Sequence, residues 1–467
     1  MNNISGSCVL NLSSVTLVPR ELAKPAYILK PGDVLFCHTN STKLVGKTAL
    51  FDQTDGPYAF SNHLTRLRPS VGGSLPEWLW FWLASLWRQR YFETRCKRWV
   101  NQATVERHTL LSAPIPIAPL VEQKKIIALI LKIRKLDEVA KVRFQKVPWL
   151  IKQFRQSVLA RAFRGGLTER DPSDEPADMV LARVRQERFR STKDHHRARR
   201  SFRRTQEGEP IDLGNLEKLP ENWAWTTLGT VVDVVQFGTS VKASATSANG
   251  IPILRMGNIK EGKLDFSDVK YMDPRDEQFE KYELKMGDIL INRTNSPELV
   301  GKCAQFQAEG KYMFASYLIR LRSLRGAASD AYLSFIINSP VGRRHIDAVK
   351  HQVAGQSNIN TRDIESMPIP LAPLQEQLRI AEKISEIFSR ADRIQEAMVI
   401  GSKNAEALEP SILRKAFRGE LVPHHPNDEP ASVLLKRIRT QGLAASRRRT
   451  SQTPLDKTSP QDIIHHA

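Results

Sequence analysis

Residues Thr39 to Lys47 return as Thr294 to Lys302, with Thr-Asn-Ser and Leu-Val-Gly-Lys intact in both places. The offset is 255 positions, and it also pairs Gly32-Asp33 with Gly287-Asp288 and Pro19-Arg20 with Pro274-Arg275. Tyr58 matches Tyr312 at an offset of 254, so a single one-residue indel lies between Lys47 and Tyr58. At 254, Pro114-Ile115-Pro116 matches Pro368-Ile369-Pro370, Glu122-Gln123 matches Glu376-Gln377, and Ala162-Phe163-Arg164-Gly165 matches Ala416-Phe417-Arg418-Gly419. Asp174-Glu175-Pro176-Ala177 then matches Asp428-Glu429-Pro430-Ala431. A repeat of about 250 residues is far longer than a solenoid unit, so each copy is a domain plus an appendage and the chain is an internal duplication.

The front part of each copy alternates short β-type runs, such as those in 288–293 and 317–322, with Gly, Pro, Asn and Asp punctuation. It reads as a mixed α+β globule in which the two Gly-Asp pairs mark turns. The back part carries Ile380, Ile384, Ile387, Ala391, Ile394, Met398, Gly401, Ala405, Leu408 and Ile412, a 4,3,4,3 spacing that reads as a heptad seam. The first copy repeats it from Ile126 to Val158, apolar throughout except for Asp137. Each helical stretch, Val121 to Arg164 and Gln375 to Arg418, spans about 66 Å, with Pro148 and Pro410 expected to kink or break it. Two matching stripes in one chain are buried most simply against each other, as an antiparallel intramolecular coiled coil that separates the globules. The other arrangement makes each stripe the core face of its own domain.

The expected organisation is therefore a globule at 1–113, a helical region at 114–190, a linker at 191–215, a second globule at 216–367, a second helical region at 368–440 and a disordered basic tail at 441–467. Between Arg183 and Arg204 stand ten Lys or Arg residues, with His195-His196 read as solvated.

Charge narrows the function. Lys and Arg number 70 against 50 Asp and Glu, a formal net charge of +20 that favours a polyanionic partner such as nucleic acid. The longest apolar run, Trp78 to Trp87, is interrupted only by Ser85 and covers about half of what a bilayer requires. No charged-then-apolar leader opens the sequence, so a cytoplasmic protein without membrane contact is expected. Cys8, Cys37, Cys96 and Cys303 have no metal-type spacing and read as inert thiols.

Motifs for catalysis fail on inspection. Val45-Gly46-Lys47-Thr48 resembles the end of a phosphate-binding loop, but position 41 is Ser where that loop requires Gly, and the second copy has Cys303 for the Thr. Asp273 with Glu283 and Lys285 suggests a nuclease cluster only until the first copy shows Val18 and Ile28 at the acidic positions. Gly-rich cofactor loops, nucleophile elbows and the Asn/Asp-Pro-Pro-aromatic tetrapeptide of amino-methyltransferases are missing from the sequence. No catalytic residue, metal or cofactor is expected. What the copies share is polar contact chemistry: Asn40, Ser41, Lys43 and Lys47 against Asn295, Ser296 and Lys302, and Arg66 and Arg68 against Arg320 and Arg322. Arg255, Asn258 and Arg293 complete a set suited to base edges and phosphates.

These features together resemble the specificity subunit of type I restriction–modification systems. The signs are the doubled Pro-Ile-Pro-x-Ala-Pro-Leu-x-Glu-Gln opening a helix, the doubled Ala-Phe-Arg-Gly-x-Leu closing it, and Leu219-Pro220-Glu221-Asn222-Trp223-x-Trp225 opening the second globule. The resemblance implies two target-recognition domains that each read half of a split site in double-stranded DNA. It implies helices that space them and dock two methyltransferase subunits, with translocating endonuclease subunits joining that core and no chemistry in this chain. A stand-alone DNA-binding scaffold or regulator, or a decayed specificity subunit, are the rival readings.

One departure stands out. Met1 aligns with Met256, so the first copy lacks counterparts of the 37 positions from Leu219 to Arg255, including the strands expected there. Either the start lies further upstream or the first globule is truly truncated; an in-frame continuation upstream of Met1, encoding a Leu-Pro-x-x-Trp-like opening, is expected, sequencing that DNA tests it, and a stop codon directly before Met1 rules it out.

Overall fold

The computed structural model describes residues 2–19, 24–69, 74–194, 216–241, 243, 250–273, 279–353 and 355–450. Its elements in chain order begin with β1 (Asp33–Cys37), β2 (Thr48–Phe51), β3 (Leu64–Leu67), α1 (Pro76–Arg88), α2 (Leu120–Ala162) and α3 (Ala177–Asp194). The second copy contributes β4 (Ala224–Thr227), β5 (Val232–Phe237), β6 (Ile251–Leu254), β7 (Lys270–Met272), β8 (Ile289–Asn292), β9 (Cys303–Gln305), β10 (Met313–Phe314), β11 (Leu318–Ser323), α4 (Asp330–Asn338), β12 (Pro368–Leu371), α5 (Leu374–Phe417) and α6 (Ala431–Thr450). The chain forms two compact units, residues 1–145 with 398–467, and residues 146–397. Each unit takes one globule and one half of each long helix, a division different from the sequential domains expected above.

In the first unit β1 is the centre of an antiparallel sheet in the order β2-β1-β3. All five of its residues are buried because both faces are covered. Val34 and Phe36 pack with Trp78, Phe81 and Leu86 of α1, while Leu35 and Cys37 pack with Ile4, Leu29 and Phe51. The aromatic-rich run is this α1, started by Pro76 and Glu77 and closed by Arg88, all suited to their ends of a helix. No helix among the described residues is long and apolar enough to cross a membrane.

The second unit repeats the plan with more strands. β8 is central in the order β9-β8-β11-β5, and Ile289 and Ile291 meet Tyr332, Leu333 and Ile336 of α4, whereas Leu290 faces Phe306 and Phe314. β6 lies between β7 and the parallel β10. β4 pairs antiparallel with β12, directly before α5.

A buried glutamine joins globule to helix in each unit. Gln377 donates to Ala372 O at 2.8 Å and accepts from the Ser329 N–H at 2.9 Å; Gln123 donates to Ala118 O at 2.8 Å and accepts from the Leu75 N–H at 3.1 Å. Each amide thus ties the start of a long helix to its proline-rich hinge and to the chain leading into the globule's helix. This is the physical content of the doubled Glu-Gln motif.

The long helices are antiparallel within each unit. In the first, Ile126 and Ile130 share a core with Leu413 and Ala416, and Arg134 pairs with Glu409. In the second, Val158 and Leu159 share a core with Ile380 and Ile384, and Arg155 pairs with Asp392. Both helices continue through Pro148 and Pro410 without a break. The seam departs from the heptad reading. Phe154 is 49% exposed while Arg155 is buried, and the matching Leu408 is 46% exposed while Glu409 turns inward; Ile394 is exposed as well. A straight helix explains the first two. Four heptads from Ile126 or Ile380 reach Phe154 or Leu408, but at 3.6 residues per turn the same face returns about one residue later.

Helix α6 runs to Thr450, into the tail expected from residue 441, and residues 451–467 lie outside the described residues. Residues 195–215, most of the basic linker and including His195 and His196, lie outside the described residues. Replacing Gln377 by Ala leaves one buried N–H and one buried C=O without partners, and is expected to cost about 2–4 kcal/mol. Urea unfolding measures it, with the exposed Glu382→Ala as a near-neutral reference.

Candidate nucleic-acid interface

Each globule turns sharply where its central strand begins. Gly32 and Gly287 have φ of +88° and +94°, values that favour glycine. The aspartates that follow are buried and fully engaged. Asp33 accepts from the Lys30 N–H and, in a two-pronged pair at 2.6 Å, from Arg68; Asp288 accepts from the Lys285 N–H and from Arg322 at 2.7 and 2.8 Å. The aspartate raises the affinity of each guanidinium for its proton. Both arginines therefore pin a β-sheet edge to a turn.

Other residues read as contacts are also engaged within the protein. Arg320 is buried against the Glu283 and Lys281 carbonyls and Gln236, and its pKa is lowered chiefly by that burial. Arg66 donates to Ile28 O at 2.9 Å. Asn258, buried, donates to Asp265 O and Asp268 O while accepting from the Arg255 N–H, and Arg255 itself meets the Asp268 carboxylate at 3.3 Å. Lys47 is buried with its Nζ on Ile4 O. Lys302 is half-buried and lines a cavity of about 840 Å³ in the second unit. Burial first, then the positive charges of Lys152 and Arg343, lower its pKa. Cys8, Cys37 and Cys303 are buried free thiols, and burial pushes Cys303 up to about 12. No group of three or more His, Cys, Asp or Glu among the described residues is placed to hold a metal.

The Thr-Asn-Ser residues have a different setting. Gly46 donates to Cys37 O at 2.8 Å and Gly301 to Asn292 O at 2.7 Å, closing a tight loop in each globule; the Asn40 and Asn295 side chains each accept from the next N–H at 2.8 Å. Ser41 and Lys43 are exposed and Ser296 half-exposed on these loops. Beside each loop stands a β-hairpin that the sequence reading missed. Thr39 and Asn40 pair with Thr104 and Ala103 of the hairpin Lys97–Arg98 and Ala103–Thr104; Thr294 and Asn295 pair with Asn358 and Ser357 of the hairpin His351–Val353 and Gln356–Asn358.

These hairpins hold equivalent places at the 254 offset but have diverged. The first exposes Lys97, Arg98, Trp99, Val100, Asn101 and Gln102, and the second His351, Gln352 and Gln356. Their one matched exposed side chain, Gln102 against Gln356, is the signal available in the sequence. Near the second hairpin, Arg293 lies over Phe237 at 4.5 Å, and its backbone N–H meets Tyr317 O at 2.9 Å; Tyr317 is exposed. A two-stranded ribbon with amides, cations and aromatics fits a major groove, where Gln and Asn can engage adenine in pairs of hydrogen bonds.

Residues 220–398 match the family model described as type I restriction modification DNA specificity domain. Over 466 residues the chain is 25% identical to the type I restriction enzyme EcoKI specificity subunit of Escherichia coli strain K12, covering 97% of this chain and 89% of that protein. The StySPI specificity subunit of Salmonella potsdam is 25% identical over 462 residues, with the same coverage. The crystal structure of the HsdS subunit from Thermoanaerobacter tengcongensis superposes with a TM-score of 0.55 at 20% identity, covering 90% of this chain and 89% of that one. A chain from a study of type I R-M system assembly and conformational transition gives 0.56 at 19% identity, with 85% of each covered. At these identities the structural likenesses speak to the fold alone.

If the hairpins meet DNA, Lys97→Ala with Arg98→Ala should make the dependence of log K on log salt shallower by about 2, while Gln356→Ala should relax preference at one base by about 1–3 kcal/mol. Binding across a salt series and across single-base variants of the site checks both.

Proposed function

We propose that this chain, which belongs to the specificity subunits of type I restriction–modification systems, reads a split DNA target with one half-site per globule. It is a non-catalytic, DNA-recognition subunit of such an enzyme. The observation that supports the finer reading best is the paired arrangement just described. In both globules a tight Thr-Asn-Ser loop carries a hairpin on its edge, and the hairpin side chains differ where two half-sites would differ. The basic balance of the chain supplies phosphate attraction that is independent of sequence.

In this reading the 43 residues of α2 and 44 of α5 set the spacing between half-sites. The same helices dock two methyltransferase subunits, and the translocating endonuclease subunits join that assembly. Asn40, Ser41, Lys43, Arg293, Asn295 and Ser296, with the two hairpins, are the contacts proposed. Lys47, Arg66, Arg68, Arg255, Asn258, Arg320 and Arg322 are engaged within the globules, at the Gly-Asp turns and at other backbone segments, and Lys302 faces the cavity of the second unit.

Co-expression with type I methyltransferase subunits in an unmethylated host, followed by sequencing for modified adenines, tests the reading. A two-part motif with a fixed spacer is expected, and exchange of residues 1–113 for another globule should change one half only. An undivided motif, or a change in both halves, overturns the proposal. No modification at all favours the decayed-subunit reading.

A further inference from the structure

The two copies differ around one matched lysine. In the first unit Lys47 is buried with its Nζ on Ile4 O, Trp80 is buried with its indole N–H on Cys8 O at 2.8 Å, and Leu50 packs against the core. At the same positions of the repeat the second unit has Lys302, Ser334 and Gln305, and all three line the cavity of about 840 Å³. An indole and an aliphatic side chain give way to a hydroxyl and an amide. Space that the first copy fills with apolar atoms is open and polar in the second.

Charge changes together with shape. Glu406 and Gln89 of the first copy correspond to Lys152 and Arg343 of the second, both on the cavity wall. Five Lys or Arg line the cavity against three carboxylates among the described residues. Asp392 pairs with Arg155 and Lys263, Glu261 lies 3.6 Å from Arg155, and Glu261 and Glu298 are close enough to act on Lys302. Arg343 is held by Val300 O at 2.6 Å and lies 3.6 Å from Asp347. Even so, among the described residues Lys302 and Lys152 have no hydrogen bond or ion pair, and Arg155, 9% exposed, leaves its Nε without a hydrogen-bond partner. Burial first, then Lys152 and Arg343, weaken the hold of Lys302 on its proton, an effect that a bound anion reverses.

We propose that this cavity binds a small organic phosphate, its phosphate held by Lys302 with Lys152 and Arg343 and its apolar part lying against Leu264, Phe266 and Ala308. The volume falls within the range of small-molecule sites, about 300–1,000 Å³, and such sites combine an apolar wall with a few convergent polar groups. Lysine and arginine are the side chains suited to phosphate oxygens, and they stand here in excess of the carboxylates. The inference is separate from the DNA-reading proposal, because it uses none of the side chains proposed to meet DNA.

Isothermal titration calorimetry of the full chain tests it, with ADP, phenyl phosphate and inorganic phosphate as probes. At least one of the two organic phosphates should bind at a single site, about tenfold or more tighter than inorganic phosphate, which has no apolar part. Lys302→Ala should weaken that binding by about tenfold or more. Lys152→Glu, at an exposed helix position, should weaken it as well, which keeps the test informative should Lys302→Ala fail to fold. Absence of saturable binding by both organic probes overturns the proposal, as does binding that neither substitution weakens or that inorganic phosphate matches. Displacement of the probe by a DNA duplex whose own binding the same two substitutions weaken also overturns it, because the cations would then serve the DNA backbone.

Discussion

The buried amide of Gln377, with its twin Gln123, is the contact on which the rest of the architecture depends. A long helix alone has no reason to leave its globule at one angle. Here a single side chain satisfies a carbonyl of the hinge and an N–H of the globule together, at 2.8 and 2.9 Å in the second unit. Burial makes the arrangement strict, because any other orientation leaves polar groups unpaired in a region that excludes water. The glutamate beside it adds a second tie: Glu376 receives Trp223 and also Thr168, whose hydroxyl donates at 3.4 Å. Helix direction is therefore specified by hydrogen bonds at its first turn and not by the stripe alone.

Along the helices the physical logic changes from hydrogen bonds to packing. The sequence displays a seven-residue spacing, yet the buried face advances at 3.6 residues per turn, so a residue next to the heptad position takes over after four heptads. At those two places the substitute is charged. Arg155 meets Asp392 and lies over Phe388 at 5.3 Å, while Glu409 meets Arg134 and Arg88. A buried charge left without its partner is far costlier than the pair is favourable, so such contacts select register more than they add stability.

Much of the fold was legible because the chain states it twice. The helix limits, the proline-rich hinge, the two Gly-Asp turns and the central strands all follow from matched residues, and those residues have partners the fold requires. Several candidate contacts drawn from the same matches are engaged within the fold itself. Arg68 and Arg322 each bind their own globule's buried Asp, and Arg66 and Arg320 each reach backbone carbonyls, whereas Lys47 is held on Ile4 O and its match Lys302 lines a cavity. Self-comparison finds what two globules must share. Exposed surfaces outside those shared contacts are free to diverge, and 97–104 and 351–358 match only at Gln102 and Gln356. Lys302 shows a further limit: its match to Lys47 says nothing about the cavity that helix residues Lys152 and Arg155 build around it.

The position of the hairpins gives that divergence a thermodynamic rationale. Each is joined to its globule through a ladder of only two residue pairs at the Thr-Asn step, and its outer strand projects exposed side chains. Substitution on such a surface typically changes stability by less than about 0.5 kcal/mol, whereas loss of a buried amide or of the Asp288 pair costs several times more. Sequence can therefore vary freely at the tips while the Gly-Asp turn, the arginine that braces it and the glutamine at the helix start stay fixed. Loop geometry and variable surface chemistry reside in different residues of the same short segment: the Asn295 side-chain oxygen accepts from the next N–H, and the strand beside it carries the side chains that differ.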